Sequence, residues 1–219
     1  MLEIALVNGA PKKTDDLFSI DWHEGPGALT IRDQVTKTAF VSASPSNIIN
    51  DPVFGMCYSY SSGSATGFVQ QDTVQKPINF SLPSWELSVE AAGLSQIYRN
   101  TLLISQAINT SGKGGWYVIY ASTGIRLFQL WYQDTTNTWQ SFTADTSAPE
   151  TAKFTFRLVR KNDTLSMYLN NTMIGATAAN VSFNNADVPI AIGRFSDTAS
   201  AYPWYGKIGK IRFFVPTTA

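Results

Sequence analysis

The chain has 219 residues, and its sixteen Lys and Arg balance sixteen Asp and Glu, so the formal net charge is zero and charged residues make up only 15% of it. That length suits one well-filled β-sandwich with a few extra strands, and is short for two independent domains. No basic stripe exists to neutralise phosphates or anionic headgroups, and no apolar run approaches the ~18 residues of a spanning helix, so neither nucleic acid nor a membrane is an expected partner.

From the N-terminus, Met1-Leu2-Glu3-Ile4-Ala5-Leu6-Val7 gives way at once to Asn8-Gly9 and the charged Lys12-Lys13-Thr14-Asp15-Asp16. This is not the basic-then-apolar pattern of an export signal, so synthesis in a cytoplasm without cleavage is expected. Helix-period stripes are nearly absent. Short runs rich in Val, Ile, Phe, Tyr, Trp and Thr recur between Gly, Pro, Asn and Asp clusters, which predicts an all-β chain. In order, the candidate strands are Leu2–Val7, Leu29–Thr36, Trp85–Glu90, Tyr98–Ser105, Trp116–Tyr120, Ile125–Tyr132, Phe154–Arg160, Leu165–Asn170, Pro189–Ile192 and Gly206–Val215.

The turn formers in Asp21-Trp22-His23-Glu24-Gly25-Pro26-Gly27 break the strand pattern early, so residues 1–40 are expected to form an N-terminal β segment or docking arm and residues 41–219 the sandwich. Ile125–Tyr132 is apolar on both faces and should be among the least exposed strands, placed centrally or beneath an aromatic-covered concave surface. Phe154, Phe156 and Leu158 alternate with Thr155, Arg157 and Val159, as a half-buried strand requires. Asn170-Asn171 is a two-residue hairpin turn, because Asn tolerates the positive φ such turns demand. Gly193–Pro203 is a surface loop ahead of the last strand.

The single cysteine, Cys57, excludes an internal disulfide and sits in an apolar run, Phe54-Gly55-Met56-Cys57-Tyr58, that predicts a buried, inert thiol. The lone His23 has no second His or Cys with which to share a zinc ion. Asn-X-Ser/Thr triplets at Asn79, Asn109, Asn162, Asn170 and Asn180 are by-products of a Ser/Thr/Asn-rich composition when no export signal accompanies them. Ser111-Gly112-Lys113-Gly114-Gly115 lacks the spacing of a phosphate loop and leads into strand residues, so it is a hairpin loop.

From Phe154 onward the order of features resembles the concanavalin A-like lectin/glucanase superfamily, particularly its laminin G-like modules. An alternating strand (Phe154-Thr155-Phe156-Arg157-Leu158) is followed by a hairpin with an Asn-containing turn (Met167-Tyr168-Leu169-Asn170-Asn171). A short apolar strand ending in Gly (Pro189-Ile190-Ala191-Ile192-Gly193) precedes a final strand entered through Gly-x-Ile (Gly206-Lys207-Ile208). The resemblance covers the last third well and is compatible from about Asn79 to Trp139, and Asn171 stands where the family more often has Gly. It implies an antiparallel β-sandwich of jelly-roll, concanavalin A-like topology, a fold that carries lectins, adhesion modules, hydrolases and virion proteins alike. The composition is also similar to that of accessory proteins of tailed bacteriophages. That similarity implies a non-enzymatic virion component that binds other virion proteins or host-surface carbohydrate, as a homo-oligomer with trimers foremost.

Trp85-Glu86-Leu87-Ser88-Val89-Glu90 is the sharpest enzymatic candidate, since alternation puts Glu86, Ser88 and Glu90 on one face. It is similar to the Glu-x-Asp-x-Glu strand of laminarinase-like retaining glycosidases, which implies Glu86 as nucleophile and Glu90 as acid/base in the alternative, enzymatic reading. Ser88 replaces the family's intervening Asp. The two Cα atoms would lie about 13 Å apart, whereas retaining chemistry needs carboxyl groups ~5–5.5 Å apart, so a solvated strand face is the stronger expectation. A Ser-His-Asp triad has only His23 to draw on.

Carbohydrate binding has the better physical basis, because sugar rings stack on aromatics while their hydroxyls meet amides and carboxylates, and aromatics are 13% of this chain. Among Trp116, Tyr117, Trp131, Tyr132, Trp139, Tyr202, Trp204 and Tyr205, the loop-edge residues Trp139, Tyr202, Trp204 and Tyr205 form the expected ligand-binding platform. For each of them the competing role is the core. No cofactor is required. Calcium would take oxygen ligands from the turn aspartates Asp134, Asp145, Asp163, Asp187 and Asp197, each of which equally suits a backbone cap.

Overall fold

A computed structural model describes residues 15–42, 47–60, 67–71, 78–93, 101–107, 114–121, 127–134, 136–144, 152–162, 164–178, 188–194 and 203–216. These form only strands and turns. In chain order the strands are β1 (Asp15–Ile20), β2 (Thr30–Arg32), β3 (Ala39–Val41), β4 (Ile48–Asp51), β5 (Gly55–Tyr60), β6 (Phe68–Gln70), β7 (Ser84–Gly93) and β8 (Thr101–Ala107). They continue as β9 (Gly114–Ala121), β10 (Leu127–Gln133), β11 (Trp139–Thr143), β12 (Phe154–Lys161), β13 (Thr164–Leu169), β14 (Thr172–Ala178), β15 (Ala191–Ile192) and β16 (Gly206–Val215).

Two eight-stranded antiparallel sheets make the expected jelly-roll-like sandwich. One runs β14-β13-β12-β7-β16-β5-β4, with β1 also paired to β16, and the other runs β11-β10-β9-β8-β15-β6-β3-β2. The N-terminal strand thus lies beside the C-terminal one, with Phe18 opposite Phe213 and Ile20 opposite Ile211. Trp22, at a left-handed φ of 61°, donates from Nε1 to the carbonyl of Gly209 at 2.7 Å, inside the register shift of β16. The expected boundary between residues 40 and 41 falls within β3, which pairs with β2 on one side and β6 on the other.

Period-two alternation explains the core. On β12, Phe154, Phe156 and Leu158 are buried and Thr155, Arg157 and Val159 are not, as the sequence predicts. Between the sheets Phe80 is a wedge: its ring lies 4.2 Å from that of Trp85 on one sheet and 4.2 Å from that of Trp116 on the other, stacked on both. Trp85 Nε1 is satisfied by the Phe80 carbonyl at 3.1 Å and Trp116 Nε1 by Gln106 Oε1 at 2.9 Å, so the rings are buried without orphaned donors. The Asn170-Asn171 turn forms as expected. Both residues have positive φ, 49° and 71°, Leu169 and Thr172 pair across them, and Asn170 Oδ1 accepts from Thr155 N at 2.9 Å.

Two expectations change. Leu29–Thr36 is not one strand: the Asp33 carboxylate accepts from Ser19 N, Val35 N and Thr36 N, which pulls the chain into a turn after Arg32 and starts β3 at Ala39. The strands buried at every residue are β8 and the short β15, whereas β10 alternates between buried and half-buried positions. Leu2–Val7, Tyr98–Asn100 and most of the Gly193–Pro203 loop lie outside the described residues. Cys57 is buried as expected, and burial pushes its thiol up to about 11.

Candidate functional site

Trp116, Val118 and Tyr120 of β9 point into the core, so Tyr117 and Ile119 must point to the opposite, outer side of the sheet. The register carries that parity across four strands. One row runs Thr143–Gln129–Ile119–Leu102, the next runs Ser141–Trp131–Tyr117–Ser105, and a third pairs Trp139 with Gln133. On this outer face Leu102, Ala107 and Ile119 form a second, smaller apolar cluster. Tyr117, Trp131 and Trp139 pack over it while remaining partly exposed.

The three rings form one aromatic surface. Tyr117 and Trp131 are stacked, with centroids 6.2 Å apart and planes 12° from parallel, and Trp139 tilts against Tyr117 at 5.7 Å. Amides are placed around them: Trp131 Nε1 donates to Gln129 Oε1 at 3.2 Å, Gln129 Nε2 donates to Thr143 Oγ1 at 3.2 Å, and Gln133 Nε2 donates to the Asn137 carbonyl at 2.9 Å. Flat apolar ring faces flanked by fixed amides and hydroxyls are what a pyranose needs, whose axial C–H groups want a π-face and whose equatorial hydroxyls want hydrogen-bond partners.

The β10–β11 hairpin positions Trp131 and Trp139 relative to each other. Asp134 accepts at Oδ1 from Thr136 Oγ1 at 2.6 Å, Thr136 N at 2.9 Å and Thr138 N at 3.0 Å, and at Oδ2 from Gln140 Nε2 at 3.2 Å. The Thr136 hydroxyl, then the Thr138 amide, hold its carboxyl well below the usual range, at about 2. Asn137 supplies the left-handed residue of the turn, at φ 63°.

Of the expected platform residues, Trp139 alone joins this surface. Trp204 is only 1% exposed, packs against Tyr120 at 6.2 Å, and leaves its Nε1 buried without a partner, so it is a core residue and no sugar reaches its ring. Tyr205 lies at the other sheet, tilted against Tyr60 at 5.0 Å and packed on the core. Tyr202 lies outside the described residues. The other two rings of this surface, Tyr117 and Trp131, are among the aromatics the sequence offers but fall outside the loop-edge choice. Both sit mid-strand, and the signal that finds them is parity, since each follows or precedes a core residue by one position.

Glu86 and Glu90 project from the outer side of the other sheet and do not form a catalytic pair. Arg157 Nε and Nη2 donate to Glu86 Oε1 and Oε2 at 2.5 and 2.8 Å, and Lys153 Nζ lies 2.9 Å from Glu90 Oε2. A glycosidase nucleophile must be free to attack, whereas both oxygens of Glu86 are held by one guanidinium. The same face carries Arg212 with Asp16 at 2.6 Å and Lys207 with Asp51, and Lys207 is the chief cause of the lowered Asp51 pKa. Arg157, Arg212 and Lys153 lie over the rings of Tyr168, Phe214 and Phe54 at 5.0, 4.9 and 4.8 Å. This face is a mosaic of ion pairs and cation–π contacts, structural in character.

Among the described residues no group of three or more His, Cys, Asp and Glu is gathered to hold a metal ion. Asp134 spends its oxygens on its own turn, and Asp145, Asp163, Asp187 and Asp197 lie outside the described residues.

No curated protein matches the chain in sequence. Among solved structures it is similar to the binding domain of paraclostridial mosquitocidal protein 1 (TM-score 0.66, 12% identity, covering 93% of this chain and 49% of that one). It is also similar to the binding domain of botulinum neurotoxin DC in complex with SialylT (TM-score 0.62, 13% identity, 91% and 47%). A third likeness is to CBM40 of the Ruminococcus gnavus IT-sialidase bound to α2,3-sialyllactose (TM-score 0.56, 11% identity, 74% and 91%). At these identities the likeness is one of fold, and this chain spans about half the length of the toxin binding domains. A family model matches residues 71–216, more than half of the chain, with the last third where the strand order and the Gly-x-Ile entry were read, and the chain belongs to the concanavalin A-like lectin/glucanases superfamily.

Proposed function

We propose that this chain is a non-catalytic carbohydrate-binding module whose saccharide lies across the outer face of β9–β11, stacked on Trp131, Tyr117 and Trp139. The observation that carries it is the outward aromatic cluster itself. Three partly exposed rings converge over one apolar floor, with Gln129 and Gln133 at hand. Single exposed aromatics are ordinary, whereas a contiguous set on a strand face is the mark of a binding surface. The carbohydrate-bound structures among the fold neighbours support the class of ligand.

The test is a glycan array followed by affinity electrophoresis. Wild type is expected to be retarded by at least one polysaccharide, and Trp131→Ala and Trp139→Ala are expected to lose about 1–3 kcal/mol of binding each. Retention unchanged in both variants would show that the sugar sits elsewhere.

The setting we propose is a virion component joined to other virion proteins and presented to host-surface glycans, as a homo-oligomer. Its support is compositional: 15% charged residues and a Ser/Thr/Asn-rich chain, as in phage accessory proteins. Mass spectrometry of purified particles tests the location and light scattering the oligomer. A monomer absent from particles would end this placement and leave the binding face unaffected.

A further inference from the structure

We infer that the saccharide bound on the β9–β11 face is uncharged, and that this face discriminates against sialylated and uronate glycans, an inference that rests on the carbohydrate-binding reading above. The three rows that make up the face contain Trp, Tyr, Gln, Ser, Thr, Ile and Leu and no Lys or Arg. A carboxylate brought against the Trp131–Tyr117 stack loses hydration and meets no Lys or Arg in these rows; Arg194, whose carbonyl accepts from Ser105 Oγ at 2.7 Å, is itself buried. The amides of Gln129 and Gln133 each give one N–H, to Thr143 Oγ1 and to the Asn137 carbonyl, and being neutral they can meet a hydroxyl but bring no charge to offset an anion's lost hydration.

Asp134, one residue beyond Gln133, spends its carboxylate on its own turn and on Gln140, which pairs with the core-packed Tyr132 on the inner side of the sheet, away from Trp139. Arg32 is on the outer side of the sheet, but on β2, five strands from Tyr117. At ~4.8 Å per strand that is about 24 Å, well beyond a screening length of ~8 Å at physiological salt.

Among the described residues, Arg157, Lys153, Arg212 and Lys207 lie on the opposite sheet, where each faces a carboxylate. The outer face of that sheet is thus charged, whereas the three aromatic-bearing rows of this one are not. The chemistry of these rows departs from that of a site built for sialyllactose, the ligand in the CBM40 structure of the same fold.

The experiment titrates the full chain with matched pairs, following tryptophan fluorescence: lactose against α2,3-sialyllactose, and galactotetraose against tetragalacturonate, with cellotetraose and chitotetraose as further neutral probes. The expected result is that a neutral probe binds about tenfold or more tighter than an acidic one, with an affinity that barely changes between about 50 and about 500 mM NaCl. Ser141→Arg, which sets a guanidinium beside Trp131, is expected to narrow the ratio of neutral to acidic affinity by about threefold or more.

An acidic member that binds as tightly as its neutral partner, with that binding lost in Trp131→Ala, overturns the neutrality while the carbohydrate-binding reading stands. An affinity for sialyllactose that falls steeply with salt overturns it in the same way. Binding of no probe, neutral or acidic, overturns both.

Discussion

Trp116 and Tyr117 are adjacent in the chain and lie on opposite sides of one sheet: Trp116 is fully buried and stacked 4.2 Å from Phe80 in the core, while Tyr117 is stacked on Trp131 on the outer face. The difference predicts divergent phenotypes. Trp116→Ala and Phe80→Ala remove the wedge that joins the sheets and are expected to cost about 3–5 kcal/mol of stability. Tyr117→Ala uncovers only the small cluster of Leu102, Ala107 and Ile119, should cost about 1–2 kcal/mol, and should abolish retention on polysaccharide gels. Urea denaturation followed by affinity electrophoresis separates the two. Equal destabilisation by Trp116→Ala and Tyr117→Ala would contradict the division of faces.

The Glu86–Arg157 pair is part-buried and doubly hydrogen-bonded. Glu86→Ala is expected to lower stability by about 1–2 kcal/mol, because it leaves a guanidinium half-covered beneath Tyr168. Glu86→Gln and Glu90→Gln should leave polysaccharide retention intact. Incubating wild type with β-glucans should release no reducing ends. Release that disappears in Glu86→Gln would restore the glycosidase reading.

Acid should loosen the binding face through Asp134. Its carboxyl falls from an ordinary 3.8 to about 2 in the folded chain, so the unfolded state takes up protons first as the pH drops. The stabilisation is fully present above pH 3.8, declines below it and is gone once the pH falls through about 2. Asp134→Asn is expected to be less stable than wild type at neutral pH, with the gap closing toward pH 2. A gap constant across that window in thermal melts would show that the charged hydrogen bonds do not hold the hairpin.

At the β13–β14 turn the two asparagines differ in role. Asn170 accepts the Thr155 amide at 2.9 Å, whereas Asn171 accepts only a long bond from Arg157 Nη1 at 3.3 Å. Asn170→Ala should cost about 1–2 kcal/mol, through a lost acceptor and strain at positive φ. Asn171→Gly should be within about 0.5 kcal/mol of wild type, since glycine adopts that φ without strain. The order of the two denaturation midpoints checks this.

Buried Cys57, with its thiol raised to about 11, should resist thiol reagents at pH 8 in the folded chain and react once urea unfolds it. Rapid labelling under native conditions would place it at the surface.

Strand parity was legible wherever one face is clearly apolar. Phe154–Leu158, Trp85–Val89 and the Asn170-Asn171 turn all formed as expected, because alternation and positive φ are properties of a few consecutive residues. Short strands such as β4 and β6 were missed, since three or four residues carry too little pattern to stand out. Trp139, chosen for its place beside a turn, is partly exposed and packs on Tyr117. Trp204 has the same signature and proved buried, because what covers a tryptophan is settled by the partner sheet and not by its neighbours in the chain.

The amino-acid sequence alone determined the all-β class, the superfamily, the low charge and the abundance of aromatic rings, all of which are local or compositional. Only the tertiary structure decided which rings face outward together and which carboxylates are neutralised. Tyr117, Trp131 and Trp139 meet through strand pairing, and Glu86 meets Arg157 from a strand 71 residues away. Cross-strand register is fixed by the whole folded sheet, and no window of sequence contains it.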